Sequence, residues 1–361
     1  MKLLIVANSS LGLYKFRKEI IESLAKKGDS IKILTPDRGK IEELESLGCE
    51  VAIVDIDRRG KNILSEIKLL LKYIVFIRKY KPDKVITYTI KPNIYCGIIT
   101  RIYNIDFYPN ITGLGTVFQK DGFFKELIIK IYRIALKKAK KVFFENKSNE
   151  NVFIEKKICS RDKSVVLNGA GVNLNEYKFE QLNPLTSINF LFMGRIMKEK
   201  GIDELFEAIE QIKSKYPNIN FDILGGLEEK YKTKIDELEF KNLITYHGMV
   251  DDVRPYIKNS HCILLPSYHE GMSNTLLEGA AIGRALITSD IPGCREVVKN
   301  NINGFLHRVK DASDLQCKIE KFISLSNDKK ISFGKESRKI VEKEFAKEKI
   351  VDITIKNIFN Y

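Results

Sequence analysis

Short apolar runs alternate with longer segments of helical period along nearly the whole chain. Lys2–Ser9, Ser30–Pro36, Glu50–Ile56 and Asp83–Thr89 read as strands with helices between them. Asn8–Gly12 reads as a turn, and Tyr14–Lys27 as an amphipathic helix stopped by Gly28. Ile63–Tyr80 and Phe123–Lys141 read as helices whose broad apolar faces are mixed with Lys and Arg, and Lys141–Asn146 and Ser164–Asn168 are further strands. The alternation then restarts. Asn189–Met193 is a strand, a helix begins near Ile202, Phe221–Gly226 is a strand, and Tyr246–Gly248 ends another. An apolar run closes at Leu264-Leu265, a helix begins near Asn274, Arg284–Asp290 is a strand, and the chain from Asp311 is helical and strongly charged.

Strands alternating with helices build parallel βαβ units, so the expected fold is α/β with two doubly wound parallel sheets. The expected boundaries are 1–170 for the first domain, 171–186 for a linker, 187–343 for the second domain and 344–361 for a C-terminal helix. The linker expectation rests on Gly169-Ala170-Gly171-Val172-Asn173 and Asn183-Pro184, a polar, glycine-bearing stretch suited to a hinge. Ligands of such sheets lie beyond the carboxyl ends of the strands, which marks Ser9–Gly12, Thr87–Asn93 and Thr112–Thr116 as loops lining a site.

Composition changes this picture little. With 44% hydrophobic and 30% charged residues the 361-residue chain is of ordinary globular type. Met1-Lys2 runs straight into Leu3–Val6, which reads as a strand and not as a secretory signal. No uninterrupted apolar run is long enough to span a membrane. Six scattered cysteines without a C-x-x-C pair suit reduced thiols in a cytoplasm.

Charge is more informative. The net charge is +14, and residues 1–180 hold 34 Lys and Arg against 21 Asp and Glu, whereas residues 181–361 hold 27 against 26. A basic first half beside a neutral second half suits an anionic ligand or surface. No RNP motif, helix-turn-helix or zinc knuckle supports nucleic acid, so none is expected as partner. The helical stretches 63–80 and 123–141 read either as helices packed on the first sheet or as helices lying in an anionic membrane interface.

The chemistry concentrates in Leu264–Val297. The loop Pro266–Ser273 carries Glu270 and Gly271, and the following helix carries Asn274, Thr275 and Glu278. A helix start offers free N–H groups and partial positive charge to a phosphate. Glu278 has the chemistry to accept from the two hydroxyls of a ribose and Glu270 from sugar hydroxyls. The alternative is a helix favoured by its own charge and a solvated loop carboxylate. His269, beside Glu270, reads as a surface or supporting residue. Upstream, Arg195 and Lys200 stand where strand gives way to helix, either as an anion site or as ordinary surface cations, and Gly225-Gly226 permits close backbone approach. Asp55-Ile56-Asp57 is a D-x-D triplet before Arg58-Arg59 and is discounted as a metal site.

The segment Glu270-Gly271-Met272-Ser273-Asn274-Thr275-Leu276-Leu277-Glu278-Gly279-Ala280 resembles the E-x7-E motif of retaining GT-B glycosyltransferases of family 4. Gly194-Arg195 through Lys200-Gly201 resembles that family's G-R-x(4)-K-G segment, and Asp251–Ile257 its D-V-x-x-Y-I turn and helix. Lys91-Pro92-Asn93-Ile94-Tyr95 and Asn110–Gly115 look like phrases of a bacterial subset acting on polyprenyl-diphosphate-linked sugars. The resemblance implies two Rossmann-like domains facing a cleft, with a final helix crossing back to the first. It implies a UDP-sugar donor held by Gly194, Arg195, Lys200, Gly225, Glu270, Gly271, Met272, Ser273, Asn274, Thr275 and Glu278. Glu270 would contact the donor sugar, Glu278 the ribose, and Arg195 and Lys200 the diphosphate, with no metal or other cofactor required. Gly12, Tyr14, Arg17, Lys91, Thr112 and Gly113 are the acceptor-side candidates; Arg17 reads equally as an exposed helical arginine, and Thr112 stands where many members have His.

The expected enzyme is a hexosyltransferase extending a lipid-linked saccharide for a surface polysaccharide or glycan, cytoplasmic and peripheral on the inner face of the cell membrane. A UDP-sugar 2-epimerase on the same scaffold and a polyanion-binding protein are the alternative readings.

Overall fold

The computed structural model describes residues 1–56, 63–115, 118, 122–182 and 187–359. Asp57, Arg58-Arg59, Thr116 and Asn183-Pro184 lie outside the described residues.

The chain divides into two compact units, one of Met1–Ala170 with the segment from Glu348 onward, the other of Gly171–Lys347. The first begins with β1 (Lys2–Val6), α1 (Ser10–Ala25), β2 (Ser30–Thr35), α2 (Ile41–Glu45) and β3 (Cys49–Ile53). It continues with α3 (Ile63–Tyr80), β4 (Lys84–Tyr88), α4 (Ile90–Tyr103), β5 (Asp106–Ile111), α5 (Phe123–Leu136), β6 (Val142–Phe144), α6 (Lys147–Glu155) and β7 (Ser164–Val166). The second holds β8 (Asn189–Met193), α7 (Ile202–Lys215), β9 (Asn220–Leu224), α8 (Lys232–Phe240), β10 (Thr245–Gly248), α9 (Arg254–Asn259) and β11 (Cys262–Leu265). It is completed by α10 (Asn274–Ile282), β12 (Ala285–Ser289), β13 (Gly304–His307), α11 (Ala312–Ile323) and α12 (Asn327–Glu344), after which α13 (Lys347–Phe359) ends the described chain.

Both sheets are parallel. The orders are β3-β2-β1-β4-β5-β6-β7 and β10-β9-β8-β11-β12-β13. Each therefore reverses direction beside its first strand, between β1 and β4 in one and between β8 and β11 in the other. A crevice opens at such a point, beyond the carboxyl ends of the strands. In the first unit α3, α4 and α5 bury Tyr73, Ile99 and Tyr132 against one sheet face. The other face is covered by α1 and by α13, whose Ile350, Ile355 and Ile358 join Leu3, Ile5 and Ile20. The Tyr108 hydroxyl donates to the Ile358 carbonyl at 3.1 Å.

The structure differs from the sequence reading at several points. Ser9–Gly12 is not a loop. Ser9 is the N-cap of α1, its hydroxyl accepting from the Gly12 amide at 3.1 Å, so Gly12 and Tyr14 are helical. Thr87–Asn93 is not a loop either, because α4 starts at Ile90 and contains Lys91 and Asn93. The helix read as far as Lys141 ends at Leu136. Residues 171–182, read as a linker, are bound into the second unit. Arg284, 2% exposed, donates to the Glu180 carbonyl at 2.8 Å and to the carbonyls of Ile257 and Lys258. Phe345 and Ala346 belong to the same unit, through the Val172 amide on the Phe345 carbonyl at 2.9 Å and a bridge between Val172 and Ala346.

His261, immediately before β11, is 3% exposed and accepts the Asn189 amide on Nδ1 at 3.0 Å, while its Nε2 has no partner. Burial, with Arg284 nearby, lowers its pKa to about 4. The unfolded chain then binds the extra proton between about pH 6.5 and pH 4, so His261 stabilises the fold above that window and the stability is lost as pH falls through it. The expected loss is about 3 kcal/mol at most. Buried His307, also shifted downward by burial, adds in the same sense. Urea unfolding from pH 7 to pH 4 is expected to show the decline and His261→Gln to flatten most of it; an unchanged slope in the variant would assign the decline elsewhere.

Candidate active site

Two loops leave the reversal point of the second sheet. After β8, Gly194-Arg195 leads to a 3-10 turn, Lys198–Lys200, and to Gly201 at the start of α7. After β11, Pro266–Ser273 leads to α10. The loops are pressed together. Gly201 has φ +70°, and a Cβ there would lie 2.1 Å from the Pro266 carbonyl oxygen, so only glycine fits. The Tyr268 amide donates to the Glu199 carbonyl at 3.0 Å, and the Thr275 hydroxyl to the Met193 carbonyl at 3.1 Å. A third turn supports them from behind, the Ser273 amide donating to the Gly293 carbonyl at 3.0 Å.

This packing brings Lys200 and Glu270, seventy positions apart in sequence, to 2.5 Å between Nζ and Oε1. Their side chains are 19% and 14% exposed, so the pair is largely shielded but open on one side. Cys294 is fully buried near both charges. Burial, then the charge of Glu270, pushes its thiol far up, which rules it out as a nucleophile. His269 faces Glu199 at 3.5 Å.

The start of α10 lies in the same place. Ser273 caps it, its hydroxyl accepting from the Leu276 amide at 3.2 Å. The amides of Asn274 and Thr275, at the free end of the helix, remain for an anion. Glu278, in the second turn, receives the Tyr177 hydroxyl, and burial together with that carboxylate holds the phenol far above its usual pKa. Tyr177 is fixed in turn by Arg338, whose Nη1 donates to the Tyr177 carbonyl at 2.9 Å and to the Ala281 carbonyl at 2.8 Å. On the other flank, Gly225 has φ +144° and stands against Gly194. The Gly225 amide donates to the Gly248 carbonyl at 2.7 Å, and the Gly225 carbonyl accepts from the Tyr246 hydroxyl at 2.7 Å. Arg195 is half exposed and faces Glu228 at 3.4 Å.

Of the donor-side residues read from the sequence, Gly194, Arg195, Lys200, Gly225, Glu270 and Gly271 lie on the turns and loops that follow the strands, and Asn274, Thr275 and Glu278 on the first turns of α10. Two differ in detail. The Met272 side chain is 5% exposed and packs in the core, and Ser273 is 3% exposed and spent on the cap, so both have only backbone to offer. Tyr177 and Thr275's tie to β8 were not legible as site features. Tyr177 in particular lies in the supposed linker, with no local motif to mark it.

In the first unit the acceptor-side candidates gather around the carboxyl ends of β1, β4, β5 and β6. Arg17 is not an exposed helical arginine. It is 6% exposed, pairs with Glu145 at 2.5 Å and lies 5.1 Å from the Tyr88 ring, while its Nη1 is buried without a partner. Lys91 pairs with Glu66 of α3 at 2.6 Å, and the Tyr95 hydroxyl shares that carboxylate. Gly12 is in α1, where a Cβ would meet only Ser9 at 3.5 Å, so its glycine is not demanded by space. Thr112 and Gly113 follow β5 and are half-buried. The sequence did not single out the backbone of Thr89. Its φ of 77° and ψ of 166° are a region foreign to a β-branched residue, and its Oγ1 is buried without a partner. Strain of that kind collects at binding sites. Among the described residues no group of three or more His, Cys, Asp or Glu is placed to hold a metal ion.

Comparison with known proteins speaks to the family and the fold. The family model described as glycosyl transferases group 1 matches residues 174–340, and that described as glycosyl transferase 4-like matches residues 2–146. The N,N'-diacetylbacillosaminyl-diphospho-undecaprenol alpha-1,3-N-acetylgalactosaminyltransferase of Campylobacter jejuni is 26% identical over 338 residues, 88% of each chain. The capsular polysaccharide biosynthesis glycosyltransferase CapM of Staphylococcus aureus is 28% identical over 90% of this chain and 88% of its own. Among solved structures, a glycosyltransferase from Rickettsia africae superposes with a TM-score of 0.78 at 21% identity, covering 99% of this chain and 98% of its own. HepE from Anabaena in complex with UDP gives 0.81 at 16% identity over the whole of both chains. Two matched families that between them span most of the chain, on two doubly wound sheets of GT-B type, place it among the group 1 glycosyltransferases.

Proposed function

We propose that this glycosyltransferase moves a hexose or N-acetylhexosamine from a UDP-sugar, with retention at the anomeric carbon, to a polyprenyl-diphosphate-linked saccharide in the making of a surface polysaccharide or glycan. The observation that carries the reading is the convergence of Lys200, Glu270 and the free end of α10 at the reversal point of the second sheet. A leaving diphosphate gains negative charge as the glycosidic bond breaks. Lys200, Arg195 and the Asn274 and Thr275 amides are then worth most, because they are already in place. That set supplies the positive charge the departure needs, so the reaction is expected to proceed without a metal. Glu270 binds the sugar beside the bond that breaks, and Glu278, held by Tyr177, accepts from the ribose hydroxyls. The UDP bound to HepE and the diphospho-undecaprenol in the name of the Campylobacter relative support the choice of donor and acceptor.

The acceptor is assigned to the first unit, a reading supported by the buried, unpartnered Arg17 Nη1 and the strained Thr89. A lipid-linked acceptor requires a membrane surface. No helix among the described residues is long and apolar enough to cross one. Peripheral contact with the inner face of the cell membrane is carried by the exposed apolar residues of α3 and α5. On α3 these are Leu64, Ile67, Leu71 and Val75, at helical spacing; on α5 they are Phe123, Phe124, Leu127 and Ile134. The basic charge of residues 1–180 favours the anionic headgroups.

The test is turnover of a panel of UDP-sugars in EDTA, with and without membrane extract from a polysaccharide-making bacterium. The expected result is UDP release that needs the extract, persists in EDTA and falls at least ~10²-fold in Glu278→Ala. Isomerised donor without extract would replace this reading with a 2-epimerase, and loss of activity on chelation would overturn metal independence.

A further inference from the structure

The first unit carries a second concave site, away from the carboxyl ends of its strands. It lies where α5 and α6 end and the chain turns into β6 and β7, at the opposite edge of the sheet. Its volume is about 410 Å³, within the range of small-molecule sites and larger than a bare phosphate ion needs. Four cations line it, Arg133, Lys137, Lys157 and Lys163, with Cys159 and Ser160 beside them. Its floor is apolar, formed by Leu136 and Ile158, which are 3% and 5% exposed.

Two of the cations are already employed. The Arg133 Nε and Nη2 donate to the Lys156 carbonyl at 3.0 and 2.7 Å, and the Lys163 Nζ donates to the Lys137 carbonyl at 3.1 Å. They answer the carbonyls left bare at the two helix ends, where the helix dipoles would otherwise repel an anion. The ammonium groups of Lys137 and Lys157 have no hydrogen bond or ion pair among the described residues. The Cys159 thiol, pushed up to about 12 by burial, stays neutral. The neighbouring carboxylate, Asp162, is engaged by the Ser160 hydroxyl and lies near Lys163 and Lys141. The wall is preformed. The Ile158 amide donates to the Phe153 carbonyl at 2.8 Å and the Lys157 amide to the Ile154 carbonyl at 2.9 Å, fixing the turn that carries Lys157.

We infer that this pocket binds a phosphate ester attached to an organic group, the phosphate between Lys137 and Lys157 and the organic arm on Leu136 and Ile158. Cationic rims over an apolar floor suit that chemistry and reject a neutral sugar, for which the floor has no acceptors. Such a phosphate reaches the protein either as a lipid headgroup or as a soluble metabolite. The inference does not depend on the donor, acceptor or stereochemistry proposed above.

The experiment uses the whole chain and three proteins: wild type, Lys137→Gln/Lys157→Gln, and Lys125→Gln/Lys130→Gln. The last removes the same charge from α5 outside the pocket. Binding is measured to phosphatidylglycerol vesicles by sedimentation, to phosphatidylcholine vesicles as the neutral control, and to glycerol 3-phosphate by calorimetry. Thermal melting confirms that each variant is folded. Vesicle binding weakened about 30-fold in the pocket variant, and clearly less in the other, assigns the pocket to a headgroup. Glycerol 3-phosphate binding that is lost only in the pocket variant assigns it to a soluble phosphate. Equal losses in both variants, or no loss in the pocket variant in either assay, overturn the inference.

Discussion

Lys200→Ala is expected to lower kcat/KM for sugar transfer by about 10²–10³, the usual effect of removing one preorganised charge from a developing anion. The size of the effect follows from where Lys200 sits. Its side chain is 19% exposed, and its ammonium is held at 2.5 Å from Glu270. The field it places on a leaving phosphate is therefore less screened than that of Arg195, which is half exposed. The corresponding Arg195→Ala loss is expected to be smaller. Lys200→Arg is expected to rescue only in part, because a planar guanidinium does not place its charge and donors where the compact ammonium does. Glu270→Ala should cost about as much as Lys200→Ala, since each leaves the other charge half-buried and unpaired. The double variant should then cost little more than either single one. Initial rates on the four proteins test this. Additive losses would show that the two side chains act apart, and an active Lys200→Ala would remove Lys200 from the chemistry.

The parts of this site that were legible in the sequence are those set by local rules. Strand runs followed by Gly-Arg or Glu-Gly loops locate the carboxyl ends of β8 and β11, and the helix from Asn274 follows from its polar start and apolar run. The sheet orders then bring those loops together, which a parallel α/β alternation already implies. What was illegible depends on contacts between distant positions. The burial of Arg17 in α1 needs Tyr88 at the end of β4 and Glu145 just after β6. Tyr177 meets Glu278 only because Arg284 and Arg338 tie residues 171–182 to the second unit. The start of α1 was missed for a simpler reason. Ser9 is a good N-cap, but Gly12 three residues later suggested a turn, and the cap outweighed one glycine in the first turn.

Gly225→Ala is expected to be the most damaging single methyl in the second unit's site. A Cβ at this position would lie 1.7 Å from the Gly194 carbonyl oxygen, and that oxygen belongs to backbone that cannot swing aside as a side chain can. The φ of +144° adds strain that alanine cannot relieve. Together these predict a loss of about 3–5 kcal/mol, and a melting temperature lower by about 6–12 °C. Gly226→Ala is the matched comparison. A Cβ there meets only the Met249 sulfur, at 3.9 Å, so a change within about 0.5 kcal/mol is expected. Differential scanning calorimetry of the two variants separates a requirement for glycine at one position from a general sensitivity of the strand end. Should Gly225→Ala melt with the wild type, the close approach of β8 and β9 would be wrong. Should it melt early yet fold in the cold, its affinity for UDP becomes the informative number. The clash pushes on Gly194 and so displaces Arg195 and the turn that presents Lys200. Weakened UDP binding with Glu270 and Lys200 both intact would then tie the donor site to this backbone contact.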